Sequence, residues 1–197
     1  MKEVFVFLSA VLILFAGPLY VVDTIRGKAR PERVTWFVFS VLGVIAFASQ
    51  IYLGASWSLV FSGLDTAASI TIFTLSIWRG VGGHTKLDIA ALLIAAVGVT
   101  IAIAAKQPII SLLGVILADI AGTVLSVRKA YIEPQSETSA MWLLTGTAAL
   151  FGCLTVSKFS VAILLYPFYL MTANYAVPIA QVVGRAVHGS VRGRFKG

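Results

Sequence analysis

Seven apolar runs, each about as long as a membrane-spanning helix, constrain the fold of this chain more than any other feature. A hydrocarbon core of ~30 Å needs about 20 apolar residues per helix. A membrane β-barrel would instead show alternating segments of ~10 residues, and the sequence lacks that pattern. We therefore predict an all-α membrane protein, because helices and closed barrels satisfy every backbone polar group in lipid. The predicted spans are 4–22, 34–53, 57–78, 89–105, 107–127, 139–157 and 160–183.

The composition supports a membrane location. Apolar residues make up 59% of the 197 positions, charged residues make up 12%, and the mean hydropathy is +0.96. A soluble domain has an apolar share nearer ~45–50%. We predict an integral protein of a bacterial-type cytoplasmic (plasma) membrane. The first apolar run is long and leads into a repeated motif, so we interpret it as a retained helix and not as a signal peptide.

The fifteen Lys and Arg residues are divided unevenly between the two sides of the predicted bundle, twelve against three. Because cytoplasmic loops carry an excess of Lys and Arg, we predict the N-terminus outside and the C-terminus in the cytoplasm. Topology alone explains the basic loops, so we predict no nucleic-acid partner. Contact between anionic lipid and the basic cytoplasmic face is left open. The three outer residues are Lys2, Lys106 and Lys158.

One motif occurs twice, from Gly17 to Trp36 and, in weaker form, from Gly122 to Trp142. Each copy joins an apolar run, a Gly, a basic tract, a Pro and a Trp that opens the next run. Chance similarity between apolar segments is the alternative, but repeated bundles are a transporter architecture with the binding site at the repeat interface. The repeat predicts three-helix units at 1–80 and 107–184, a connector loop and linker helix at 81–106, and a basic tail at 185–197.

Three strongly polar residues lie deep in the predicted spans. Asp65 is the ninth residue of its run, about 13 Å deep, and Asp119 is about 18 Å deep in the fifth helix. Asn174 lies in the seventh helix. Ionisable residues at such depth are costly and are often functional, so we predict that these three bind solute. The structural alternative is that each only joins neighbouring helices by hydrogen bonds. We expect both aspartates to face the bundle interior.

Aromatic residues and prolines complete the predicted site. Tyr166, Tyr169 and Tyr175 give the seventh helix amphipathic rings suited to a partly wet cavity, although a packed helix interface would also use them. Trp36 and Trp142, the equivalent residues of the two motifs, are predicted to contact solute, and Trp36 is predicted to lie at the inner membrane interface. The predicted hinges are Pro18, Pro167 and Pro178, and the two in the seventh helix predict a broken, cavity-lining helix.

Residue patterns of common enzymes do not occur in this sequence. It contains no Gly-x-Ser-x-Gly elbow, no phosphate-binding loop, no His pair and no metal-ligand spacing. The contexts of the two deep aspartates, GLDTA and LADIA, also lack the flanking pattern of intramembrane aspartyl proteases. We therefore predict no enzymatic activity, no cofactor and no bound metal.

The layout resembles the PQ-loop or SWEET-like superfamily of membrane transporters. The resemblance rests on three, one and three helices, on Pro18 followed by the basic loop 26–31, on the second copy at 128–134, and on Asn174. It implies the same seven-helix fold and a substrate-contacting role for Asn174. Leu19 stands where the family's Pro-Gln pair has Gln, and Thr123 stands where the second proline would recur. The superfamily includes sugar, vitamin and amino-acid transporters and cargo receptors, so it leaves the solute open.

Together these features predict a transporter of a small polar solute that works by alternating access between the two three-helix units. The alternative is a non-transporting membrane receptor or accessory subunit of the same fold. The predicted partners are the solute and the lipid bilayer, and a homo-oligomer is compatible with the sequence.

Overall fold

A computed structural model describes the backbone of residues 2–52, 57–155 and 161–194, and these residues form seven α-helices with a single isolated β-bridge. Six helices end within five residues of their predicted bounds. Lys158 and Lys196 lie outside the described residues, as does part of the predicted turn between the second and third helices. The helices are α1 Lys2–Ile25, α2 Arg33–Tyr52, α3 Trp57–Arg79, α4 Lys86–Ala104, α5 Pro108–Ile132, α6 Ser139–Thr155 and α7 Val161–Arg194.

Within the described part of the chain, α1, α4 and α5 are each long enough and apolar enough to cross a membrane. The apolar stretches of α2 and α6 are shorter. Large apolar side chains cover much of the outer surface of the bundle, and Phe7, Trp78, Ile103 and Val182 are all more than 60% exposed. Soluble proteins rarely expose so much contiguous apolar surface. The helices therefore belong to a membrane protein, in which lipid covers these side chains.

The contacts of α1, α2 and α3 parallel those of α5, α6 and α7, and we call these two sets the first and the second group. In the first group α3 contacts both α1 and α2, and in the second α7 contacts both α5 and α6. Between the groups, α1 packs against α6 and α2 packs against α5. If α1, α2 and α3 are matched in order with α5, α6 and α7, these contacts correspond in pairs. The α1–α3 contact matches α5–α7, the α2–α3 contact matches α6–α7, and the α1–α6 contact matches α2–α5.

The fourth helix, which was predicted to be a linker, packs closely on α5. A side-chain carbon on Gly98 would lie 2.6 Å from the carbonyl oxygen of Gly114, and one on Gly114 would lie 2.6 Å from the carbonyl oxygen of Gly98. Only glycines allow the backbones to approach so closely. At the start of α4, the Thr85 side chain and the Asp88 carboxylate form a capping box. Thus α4 is fixed to the second group and makes a smaller contact with α2.

The seventh helix differs from its prediction in two ways. It runs without interruption through Pro167 and Pro178, so the prediction of a broken helix is wrong. Neighbouring helices and local adjustment can compensate for the hydrogen bonds that proline removes. The helix also continues to Arg194, eleven residues beyond the predicted span, which ends at residue 183. The predicted end marked the end of the apolar run, but helical hydrogen bonds do not require apolar side chains, and Arg is a good helix former.

Three loops that were predicted to lie in the cytoplasm meet at one end of the bundle, here called the inner end. The backbone N–H of Arg30 donates to the carbonyl of Ser136 at 2.9 Å, which joins the equivalent loops of the two motifs. Val81, in the loop between α3 and α4, donates to the carbonyl of Pro31 at 2.9 Å, and the Arg33 side chain donates to the carbonyl of Gly82 at 2.7 Å. The proximity of these loops agrees with their assignment to the same side of the membrane.

Candidate functional site

Asp119 is buried where α5 and α7 meet, about halfway along α5. Its Oδ2 atom accepts a 2.5 Å hydrogen bond from the Tyr169 hydroxyl and a 3.2 Å hydrogen bond from Thr123 Oγ1. Thr123 lies one helical turn from Asp119, whereas Tyr169 reaches across from α7. The prediction that Asp119 faces the bundle interior is confirmed. Its carboxylate is held on one oxygen by two hydroxyl groups.

Asp65 lies on α3, in the other group of helices, and combines two properties. Its side chain is solvent-accessible by surface area, yet protein atoms surround it closely enough to remove most of its bulk solvation. Both observations are consistent if the side chain lines a concave surface. Asp65 is within electrostatic range of Asp119 and of Tyr166. The two deep carboxylates thus come one from each three-helix group, on helices α3 and α5 that do not pack directly against each other in the described part of the chain.

The other polar residues predicted for the site have different surroundings. Asn174 is buried, and its amide donates to the carbonyl of Leu170, one turn earlier in the same helix, at 2.8 Å. The Tyr175 hydroxyl lies 3.0 Å from Thr147 Oγ1 of α6, which joins α6 to α7. The contacts of Asn174 and Tyr175 are thus those of helix packing, and the structure does not bring either residue into contact with the aspartates. Their roles in solute binding stay predictions.

The two motif tryptophans pack together near the inner end of the bundle. The Trp36 and Trp142 rings have centroids 6.2 Å apart, and Tyr20 of α1 packs on Trp36 at 4.9 Å. All three side chains are almost completely buried, with Val177 of α7 beside them. Trp36 therefore lies inside the protein, not at the membrane interface where the sequence placed it. We call Tyr20, Trp36, Trp142 and Val177 the aromatic layer.

A buried ion pair lies at the inner side of the aromatic layer. Lys129 Nζ is 2.6 Å from Glu137 Oε1, and both side chains are at most 6% exposed. Lys129 also donates to the carbonyl oxygens of Arg30 and Ser136, so it joins the loops of the two motifs. The other carboxylate oxygen of Glu137 accepts a 2.8 Å hydrogen bond from the indole N–H of Trp142. The ion pair is thus connected directly to the aromatic layer.

Sequence reasoning missed the roles of Lys129 and Glu137. It treated Lys129 as one of many basic residues of the cytoplasmic side. The spacing of Asp23 and Arg26, three residues apart, predicts a pair between them on the surface. In the structure Asp23 instead accepts a 3.0 Å hydrogen bond from Thr138 Oγ1, which links the end of α1 to the start of α6. The position of Lys129 could have indicated this role. It lies just before the end of an apolar helix, where a cation must find a buried partner or extend to the interface.

Burial is uneven along the bundle. The buried residues of α1 lie in its inner half, at Ala16, Tyr20 and Thr24, and the residues of its outer half are exposed or only partly buried. Between the groups, α2 meets α5 at the inner end, where Thr35 Oγ1 donates to the carbonyl of Gly122 at 2.6 Å. The inner end is therefore tightly packed, and the exposed carboxylate of Asp65 lies on the outer side of the aromatic layer.

Among the described residues, no group of three His, Cys, Asp or Glu side chains is arranged to hold a metal ion. His84 is exposed in the loop between α3 and α4. Comparisons of the chain with protein-family models, with curated proteins and with solved structures find no match.

Proposed function

We propose that this protein is a membrane transporter that moves a small polar solute by alternating access between two three-helix units, α1–α3 and α5–α7. The proposal takes all seven helices as membrane-spanning, with the N-terminus outside. It also takes the resemblance to PQ-loop and SWEET-like transporters as a resemblance in architecture.

The presence of one deep carboxylate in each unit, Asp65 on α3 and Asp119 on α5, carries the proposal. Each carboxylate lies far from both ends of an apolar helix, where an ionisable group is costly to place. They come from different units, and Asp119 is buried where α5 and α7 meet. A polar site at the interface of two repeats is where transporters of this kind bind their solutes.

The contacts between helices supply a second argument. When α1, α2 and α3 are matched with α5, α6 and α7, the contacts inside one unit correspond to those inside the other. The two contacts between the units correspond to each other as well. Two equivalent units that rock against each other can open a central site to either side of the membrane in turn. The packed aromatic layer, with Asp65 exposed on its outer side, suits a state in which the inner path is closed.

One observation favours the alternative of a non-transporting receptor or accessory subunit. The inner end carries a buried ion pair and several hydrogen bonds that join the loops of the two motifs. Such contacts could hold the two units permanently together. Under this alternative, Asp119 and Tyr169 serve only to fasten α5 to α7.

Uptake of radiolabelled sugars, amino acids and vitamins into liposomes containing the purified protein tests the proposal. We expect uptake of at least one solute, and we expect Asp65→Asn and Asp119→Asn to reduce it or to change its pH dependence. Glu133→Gln is the matched control, because it removes a carboxylate whose side chain is 45% exposed in the inner loop.

Two results would contradict the proposal. The first is a full screen without uptake above protein-free liposomes by a protein that elutes as a single folded species. The second is uptake that neither aspartate variant changes, even though both variants lower thermal stability. The second result would leave the aspartates with a structural role only.

A further inference from the structure

An apolar groove of about 990 Å³ separates α5 from α7 on the lateral, lipid-facing surface of the bundle. Its walls include Val124 and Val127 of α5 and Ala176 and Ile179 of α7. Almost all of the lining is apolar, and the groove is open along one side. In a bilayer, a gap of this kind faces acyl chains and not water.

The groove lies between two points where α5 and α7 are held together. On the outer side, the Tyr169 hydroxyl donates to Asp119. On the inner side, the backbones approach so closely that Gly184 has no room for a side-chain carbon against the carbonyl of Tyr131. The gap therefore has fixed ends, and a flexible chain could fill it without moving either helix.

Among the described residues, Arg128 is the one cation that lines the inner part of this groove. Arg128 is exposed, and no ion pair to its guanidinium occurs among the described residues. It lies four residues before the end of α5, at the depth where a long basic side chain can extend to the lipid headgroups. Basic pockets between membrane helices on the cytoplasmic side suit anionic headgroups.

The length of the groove matches one leaflet. From Arg128 to Ile120 its α5 wall spans about 12 Å at ~1.5 Å per residue, which is most of the ~15 Å that half of a ~30 Å hydrocarbon core measures. A phosphate at Arg128 would place an acyl chain along the groove towards Tyr169. An anionic lipid of the cytoplasmic leaflet thus fits both the charge and the length.

We propose that the groove between α5 and α7 is a binding site for one anionic phospholipid of the cytoplasmic leaflet, with its phosphate at Arg128 and an acyl chain against the Tyr169 ring. Because the hydroxyl of that ring binds Asp119, the lipid contacts a residue that positions the buried carboxylate. This site does not depend on the proposed transport function.

Native mass spectrometry of the full-length protein, titrated with phosphatidylglycerol or phosphatidylcholine of identical chains, tests this site. We expect tighter binding of phosphatidylglycerol, and about fivefold weaker binding of it by Arg128→Gln, since one basic residue near an anionic lipid contributes about that factor. Arg128→Lys should retain the preference. Arg26→Gln is the control, because it removes an exposed cation of the same end that lies outside the groove.

A second variant, Ala176→Phe, fills the groove and should weaken the binding of both lipids. Size-exclusion elution and melting temperature without added lipid establish that each variant is folded. Equal binding of the two lipids, or unchanged phosphatidylglycerol binding in folded Arg128→Gln, would overturn the proposal. The proposal would also be overturned if the protein were a dimer and Ala176→Phe dissociated it, because the groove would then hold a second copy of the chain.

Discussion

Replacing Lys129 by Met should destabilise the protein far more than loss of an average basic loop residue. The substitution keeps most of the volume of the side chain and removes its charge. It leaves the Glu137 carboxylate, whose side chain is 0% exposed, with one remaining hydrogen bond from Trp142. The carbonyls of Arg30 and Ser136 also lose a donor.

The magnitude follows from the burial of this pair. Removing one partner of a buried ion pair costs about 3–5 kcal/mol, because the other charge stays buried without compensation. Replacing both partners by neutral residues costs less, so Lys129→Met/Glu137→Gln should recover at least about 2 kcal/mol of that loss. The Gln side chain can still accept the hydrogen bond from the indole of Trp142. By contrast, the pair between Arg30 and Glu133 is about half exposed, and Arg30→Gln should cost at most about 1 kcal/mol.

Thermal unfolding in detergent, followed by tryptophan fluorescence, measures these differences. The scaling known from soluble domains of 150–250 residues translates a loss of about 3–5 kcal/mol into a melting temperature roughly 6–20 °C lower. If Lys129→Met lowers the melting temperature no more than Arg30→Gln does, the pair does not stabilise the inner end. If the double variant is less stable than Lys129→Met, an uncompensated Glu137 charge is not the cause of the loss.

Four further predictions concern other parts of the chain. Burial raises the pKa of Glu32, with a smaller contribution from the nearby Asp88 carboxylate and an opposing hydrogen bond from the Thr35 N–H. A carboxyl group whose pKa is raised in the folded protein stabilises the fold below its ordinary pKa, and this stability is lost as the pH rises through its folded-state pKa. Glu32→Gln should therefore raise the melting temperature at pH 8. A gain of the same size at pH 4 would contradict this prediction. Tyr169→Phe should cost about 1–2 kcal/mol of unfolding free energy through its lost bond to Asp119, and an unchanged melting temperature would show that this bond is weak. Gly98→Ala should cost about 1–3 kcal/mol, whereas Gly152→Ala, where an added carbon meets its nearest neighbour at 3.6 Å, should change stability little; equal effects would refute the close packing of α4 on α5. A cytoplasm-only fluorescent reporter fused to the C-terminus should fluoresce, and a dark fusion at normal expression would reverse the predicted orientation.

The helices could be predicted from sequence because the apolar runs have the length that a bilayer demands. The same reasoning placed the end of α7 too early, since hydropathy reports where lipid ends and not where helical hydrogen bonds end. It also named no packing partner for α4, although Gly98 on α4 and Gly114 on α5 approach each other closely. A glycine in an apolar helix does not reveal which neighbour it meets, so the partner of α4 required the structure.

The site was only partly predictable for a similar reason. Depth along a helix identified Asp119 as buried, but its bond to Tyr169 depends on how α5 and α7 are rotated against each other. Trp36 was assigned to the membrane interface because it opens an apolar run, yet its contact with Trp142 places it in the core. Lys129 and Glu137 are eight positions apart and separated by a turn, so no helical spacing rule pairs them.

Alternating access is the central claim, and the accessibility of position 65 from the two sides of the membrane tests it most directly. Asp65→Cys in a Cys153→Ser background provides a single thiol, and an impermeant maleimide is applied to right-side-out or inverted vesicles. The account predicts labelling from outside in the state described here, together with slower labelling from the cytoplasmic side as the units exchange. Labelling from one side only, at every temperature and with every solute tested, would contradict alternating access.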